Sequence, residues 1–138
     1  MERVSVYMND KGGFSLSGET KCEDLNPKAL LLFSAAKCAA LTAQHIMGRE
    51  RLTPKRLEVS VEGETSTDHT IAETYFRSFN ICYNVECHTL DEQSRASHAI
   101  TLAHDKYCGL VKMLRMIAPV KCDIRIVATE RAEASAQC

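Results

Sequence analysis

Apolar and polar residues alternate through Val4, Val6 and Met8, the two-residue period of a strand with one buried face. Gly12-Gly13 turns the chain and Phe14 to Leu16 resumes the extended pattern, so an N-terminal hairpin is predicted. The period then changes. Asn26 is a good N-cap, Pro27 suits the first helical position, and apolar residues continue nearly all round a long helix to Gly48, a natural stop. A helix of that kind belongs in a core or an interface between copies. After Pro54, Leu57 to Glu62 alternates as a strand, and Ile71 to His88, rich in aromatic and β-branched residues and broken by Asn80 and Asn84, reads as a second, long and bulged strand. Thr89 and Glu92 form a capping box for a helix through His104, Asp105 caps another from Lys106 to Ile117, and Val120 to Ala128 closes as a strand. The order ββαββααβ defines an α+β fold around a buried central helix.

One domain is expected over residues 1–128, with a disordered tail from Thr129 to Cys138, rich in Ala, Glu and Ser. A chain of 138 residues buries roughly two-thirds of the surface its unfolded form exposes. Its formal charge of −1 gives no bulk attraction to nucleic acid or to an anionic membrane. The start lacks the basic end and apolar stretch of a secretory signal, and the run Ala29 to Ala43, broken by Lys37, is too short to span a bilayer. Seven cysteines without such a signal favour a reducing compartment, so the expected location is the cytoplasm.

Two of those cysteines fall in helical segments, Cys38 in the central helix and Cys108 at the start of the late one. One thiol that attacks and another that resolves is a redox arrangement. A buried thiol needs a cation or hydrogen-bond donors to become a thiolate. Lys37 points about 100° away round the helix, whereas Thr42 and His45, at i+4 and i+7, share the face of Cys38. Cys108, near a helix start capped by Asp105 and beside Lys106, would gain thiolate character from the macrodipole.

Other chemistry is poorly supported. Cys22, Cys82, Cys87 and Cys122 read as packing or surface residues, because free cysteine behaves as a small hydrophobe. No CxxC or HxxxH spacing is present, and the expected break near Asp105 spoils a His104/Cys108 ligand pair, so neither metal nor organic cofactor is expected. His69, His88 and His98 fall in turns or on polar faces. Met113 and Met116 with Leu110 and Leu114 read as a core-packing stripe.

The Asn26-Pro27 helix start, a cysteine eleven residues after that proline among small residues, and a late Tyr107-Cys108 before a short amphipathic helix resemble the OsmC/Ohr family of thiol-dependent hydroperoxide reductases. The resemblance spans about residues 25–127. It implies an intertwined homodimer with the central helices buried and the two cysteines facing each other near the interface. It also implies peroxidatic Cys38, resolving Cys108, an organic hydroperoxide as substrate and a cellular dithiol as reductant.

Two positions depart from the family pattern. Its hydroperoxide reductases carry a Glu after Asn-Pro that orients an Arg against the reactive thiol, and this chain has Lys28 there. Arg3 is the only candidate for that Arg before the central helix, and Lys28 itself is a candidate cation. The second cysteine lies in Tyr107-Cys108-Gly109-Leu110 rather than Gly-Cys-Pro, the mark of a divergent branch. The expected function is thiol-dependent reduction of organic hydroperoxides. The alternative is a non-peroxidatic dimeric binding module for a small hydrophobic or thiol-bearing ligand.

Overall fold

The computed structural model describes residues 1–66 and 74–128, and the backbone of 132–137. His69, the expected strand start at Ile71 to Glu73, and Thr129 to Arg131 and Cys138 of the expected tail lie outside the described residues.

The N-terminal hairpin forms as read, β1 (Glu2–Met8) against β2 (Phe14–Leu16). Asn9 organises its turn, its Oδ1 accepting from the backbone N–H groups of Lys11 (3.0 Å) and Gly13 (3.1 Å). The long helix α1 (Pro27–Arg49) starts where the cap predicts, with Asn26 Oδ1 accepting from Ala29 N at 2.9 Å. Its end differs from the expectation. The helix runs through Gly48, and the reversal falls on Arg51, whose φ of 57° is left-handed. Leu52 N donates to Met47 O (2.8 Å) and Arg51 N to Gly48 O (3.1 Å), a Schellman closure whose apolar clasp is the buried pair Leu52 and Met47.

β3 (Arg56–Thr65) and β4 (Phe76–Cys87) pair antiparallel. The strand break expected at Asn80 and Asn84 does not occur, because both sit in regular register on β4. The irregularity lies nearer the strand end, between Glu64 and Thr65, where Ser78 and Phe76 are the successive partners and Arg77 is the extra residue. There Phe76 lies directly over Gly63, where any side chain would collide with the ring.

A helical crossover then returns the chain, as parallel pairing requires. Helix α2 (Leu90–Leu102) begins on Thr89, whose Oγ1 accepts from Glu92 N at 3.4 Å. A π turn at Ala103–Tyr107 follows, then α3 (Gly109–Ile117), and β5 (Val120–Ala128) pairs parallel to β4. Asp105 and Lys106 belong to the π turn, so Asp105 does not cap α3; the N-cap residue is Cys108 itself. In place of part of the expected disordered tail, β6 (Ala132–Gln137) pairs antiparallel with β5. Among the described residues, six strands run β2-β1-β3-β4-β5-β6 in one sheet.

Inward positions Val4, Val6, Val59, Val61, Ile81, Tyr83 and Ile124 meet the α1 stripe Leu32, Ala36, Ala39, Ala43 and Met47. Small residues on α1 let the helix lie close to the sheet. The opposite sheet face is polar, with Arg3 paired to Glu62 (3.4 Å) and Ser5 bonded to Ser60 (2.7 Å). The full 23 residues of α1 are long and apolar enough to cross a membrane by length and composition, correcting the shorter span read from Ala29 to Ala43. Its apolar stripe is nevertheless occupied by the sheet. The helices also keep apolar residues exposed: Leu30 and Leu41 on α1, and Met113, Met116 and Ile117 on α3. The α3 methionines therefore leave the core to Val111 and Leu114, against the packing-stripe expectation.

Candidate functional site

Cys38 occupies the middle of α1, and the π turn carries Cys108 back over it. Cys108 N donates to Ala103 O at 2.8 Å, the i→i+5 closure that ends the turn. This places the Cys108 thiol 3.1 Å from Cys38 Sγ, across 70 residues of sequence, with Cys108 as donor. Cys108 is fully buried, whereas Cys38 is half-buried. The first is shielded from solvent while the second can be met from it.

The electrostatics correct one expectation. Cys108 does sit at a helix N-terminus, and the amides of Leu110 and Val111 favour its thiolate. Burial is the larger effect, however, and together with the hydrogen bond to Cys38 it raises the Cys108 pKa above that of an ordinary thiol. Cys108 therefore rests as a thiol, which is the form a donor to Cys38 must have.

A second polar pair lies beside the dithiol. Tyr83 Oη and His104 Nδ1 are 3.0 Å apart, the rings meet edge to face at a centroid distance of 5.8 Å, and both residues are buried. Burial, with Arg115 nearby and Asp105 partly offsetting it, lowers the His104 pKa to about 4, leaving a neutral imidazole at pH 7. Burial also raises the Tyr83 pKa, and the charge bearing most strongly on its hydroxyl is that of Cys108. Arg115 is held in place by the His104 carbonyl (2.9 Å) and Asp105 (3.7 Å).

Thr42 and His45 sit on the Cys38 side of α1 as their spacing predicts, and no hydrogen bond joins either to Cys38 among the described residues. They line a cavity of about 660 Å³ with Leu41, Ile46, Arg49, Glu50, Leu102 and Tyr107, the neighbour of Cys108. The two candidate cations are placed elsewhere. Arg3 is on the outer sheet face with Glu62, since the inward positions of β1 are Val4 and Val6. Lys28 is half-buried near the start of α1, ten residues before Cys38, so the helical rise separates them by roughly 15 Å within one chain.

Cys22 is exposed, Cys82 is half-buried and Cys87 is buried, whereas the buried Cys122, expected as a free packing residue, is disulfide-bonded. His88 and His98 are exposed. Among the described residues no three His, Cys, Asp or Glu side chains are grouped to hold a metal ion. Tyr83 and His104 were not among the residues that sequence reasoning assigned to the redox site. Available signals were a phenol at an inward position of an alternating strand and an imidazole four residues before Cys108.

A six-stranded sheet carrying its helices on one face, with a close cysteine pair between the central helix and a π turn, defines the class of fold and site. The chain belongs to the OsmC-like protein family, whose profile matches residues 18–123. Its fold is shared with a hypothetical protein from Aquifex aeolicus VF5 (22% identity, TM-score 0.63, covering 89% of this chain and 93% of that one). An OsmC-like protein from Mycoplasma pneumoniae is also similar (16% identity, TM-score 0.60, 91% and 96%). So is the organic hydroperoxide resistance protein OhrB of Bacillus subtilis (14% identity, TM-score 0.53, 90% and 98%). No curated protein matches the chain.

Proposed function

We propose that the protein is a homodimeric, cytoplasmic thiol peroxidase that reduces organic hydroperoxides without a metal or organic cofactor. The observation that carries this reading is the 3.1 Å contact between Cys108 and Cys38. Cys38, the half-exposed partner, attacks the O–O bond as a thiolate; its sulfur takes the distal oxygen, and the alkoxide leaves with a proton as an alcohol. Cys108 then attacks the sulfenic acid, forming the S–S bond as the S–O bond breaks and water departs. A cellular dithiol reduces the bridge by exchange. Donation from the Cys108 S–H supports the charge on Cys38 before the first step.

The apolar part of the cavity, formed by Leu41, Ile46 and Leu102 beside the charged Arg49 and Glu50, suits the organic part of such a substrate. The same cavity supports a second reading, a dimeric binding module for a small hydrophobic or thiol-bearing ligand, which involves no peroxide chemistry. The two separate in Cys108→Ser treated with one equivalent of cumene hydroperoxide and a sulfenic acid trap. The peroxidase reading expects the trapped mass on Cys38. Absence of the adduct, with the protein folded, overturns it.

A further inference from the structure

The resolving thiol has a chemical difficulty that the dithiol does not solve alone. Cys108 is fully buried and must become an anion to attack, yet no cation is among the main influences on its charge. Arg115 is bound to the His104 carbonyl and Asp105, Arg3 is on the outer sheet face, and Lys37 and Lys106 are exposed. What the fold places beside the thiols is a phenol and an imidazole, delivered by different elements. β4 supplies Tyr83 at an inward position, and the π turn supplies His104 four residues ahead of Cys108.

We propose that the Tyr83 hydroxyl, oriented by its 3.0 Å bond to His104 Nδ1, donates to the Cys108 sulfur anion as that sulfur attacks oxidised Cys38. Tyr83 and His104 are positioning residues in this step. With Nδ1–H donating to Oη, the phenolic O–H is left free; in the reduced structure no hydrogen bond joins it to Cys108 among the described residues, and it turns to the sulfur as the anion forms, a third donor beside the amides of Leu110 and Val111. The raised Tyr83 pKa keeps the phenol protonated beside a thiolate, and the lowered His104 pKa keeps the pair uncharged at neutral pH. Groups able to alter this balance are Cys38 from α1, Asp105 from the π turn and Arg115 from α3.

The inference rests on Cys38 and Cys108 acting as a redox pair, but its test avoids hydroperoxide. Oxidised glutathione forms a mixed disulfide at Cys38, releasing one glutathione thiolate; attack by Cys108 then makes the Cys38–Cys108 bridge and releases the second. Quenched peptide mass spectrometry between pH 6 and 9 gives the ratio of mixed disulfide to bridge. Tyr83→Phe keeps the packed ring and removes the donor. Expected is bridge closure slowed about ten-fold or more, with the mixed disulfide accumulating and the pH profile displaced upward. His104→Leu should act in the same direction, while His104→Asn, whose amide can reach the Nδ1 position, restores closure toward wild type. An unchanged ratio and profile in folded Tyr83→Phe overturn the proposal. If that variant does not fold, equal closure rates in His104→Leu and wild type do so. A wild type that forms neither adduct nor bridge overturns it as well. Glutathione-driven closure with the Tyr83 dependence, but no sulfenic acid from hydroperoxide, sinks the peroxidase reading and leaves this one standing.

Discussion

Cys108 donates a hydrogen bond to Cys38 at 3.1 Å, and the π turn at Ala103–Tyr107 makes that contact. In a regular helix the extra residue would be absent and the residues after it would rotate about the axis. Here Cys108 leaves the turn in extended conformation, serves as N-cap of α3 and stays fully buried. One local irregularity therefore fixes the position of the second thiol.

The exposed apolar residues predict self-association. Leu41 on α1 and Met113, Met116 and Ile117 on α3 are 43–85% exposed, more than isolated surface hydrophobes require. Light scattering at micromolar concentration is expected to give the mass of a dimer, and Leu41→Asp with Met116→Asp to weaken it. A monomeric mass with native circular dichroism in the wild type would exclude the dimer.

Acidification should expose the cost of burying His104. Its folded-state pKa lies below the unfolded value, 6.5 against about 4, so the unfolded chain binds the proton more readily. The stability associated with neutral His104 is complete above pH 6.5 and is lost as pH falls toward 4. The full effect is on the order of 3 kcal/mol. Urea unfolding at pH 7 and pH 4.5 should show this loss in wild type, and a smaller one in His104→Leu. Parallel pH dependences would remove His104 as the source.

Arg51 holds a left-handed backbone that costs a residue with a Cβ energy at the end of α1. Arg51→Gly should stabilise the fold by about 1 kcal/mol, since the Schellman bonds of Leu52 and Arg51 are backbone bonds and survive the change. A raised midpoint of thermal unfolding is the expected result.

Gly63 should behave in the opposite way. A methyl there would enter the ring of Phe76, itself buried at the strand irregularity. Gly63→Ala should lower stability by roughly 1–3 kcal/mol, the range for overpacked sites. Gly48→Ala, with open space around it, is the contrasting control and should stabilise slightly.

Short-range signals made much of this architecture legible. The hairpin around Gly12-Gly13, the Asn26-Pro27 helix start, the Thr89 cap and the strand from Val120 to Ala128 each declare themselves through local chemistry. Features set by tertiary contacts did not. Gly48 looks like a helix stop, but the buried Met47 and Leu52 pair draws the closure onward to Arg51. Asp105 looks like an N-cap, but it lies inside the π turn, and the cap position falls to Cys108 beside Cys38. β6 is hidden because Ala132–Gln137 has weak strand propensity and is held by pairing with β5. At the site, helical spacing placed Cys38, Thr42 and His45 on one side of α1. Tyr83 and His104 are brought together only by the fold, and the charge of Arg3 misleads because its strand register turns it outward.

The central claim is that these two thiols form one reactive unit. The direct measurement is a titration of the reduced protein with an alkyl hydroperoxide, counting free thiols per chain and locating the new bond by peptide mass spectrometry. One equivalent should remove two thiols and yield a Cys38–Cys108 disulfide, with peroxide consumption abolished in Cys38→Ser. Undiminished consumption in Cys38→Ser, or loss of thiols without that bridge, would contradict the account.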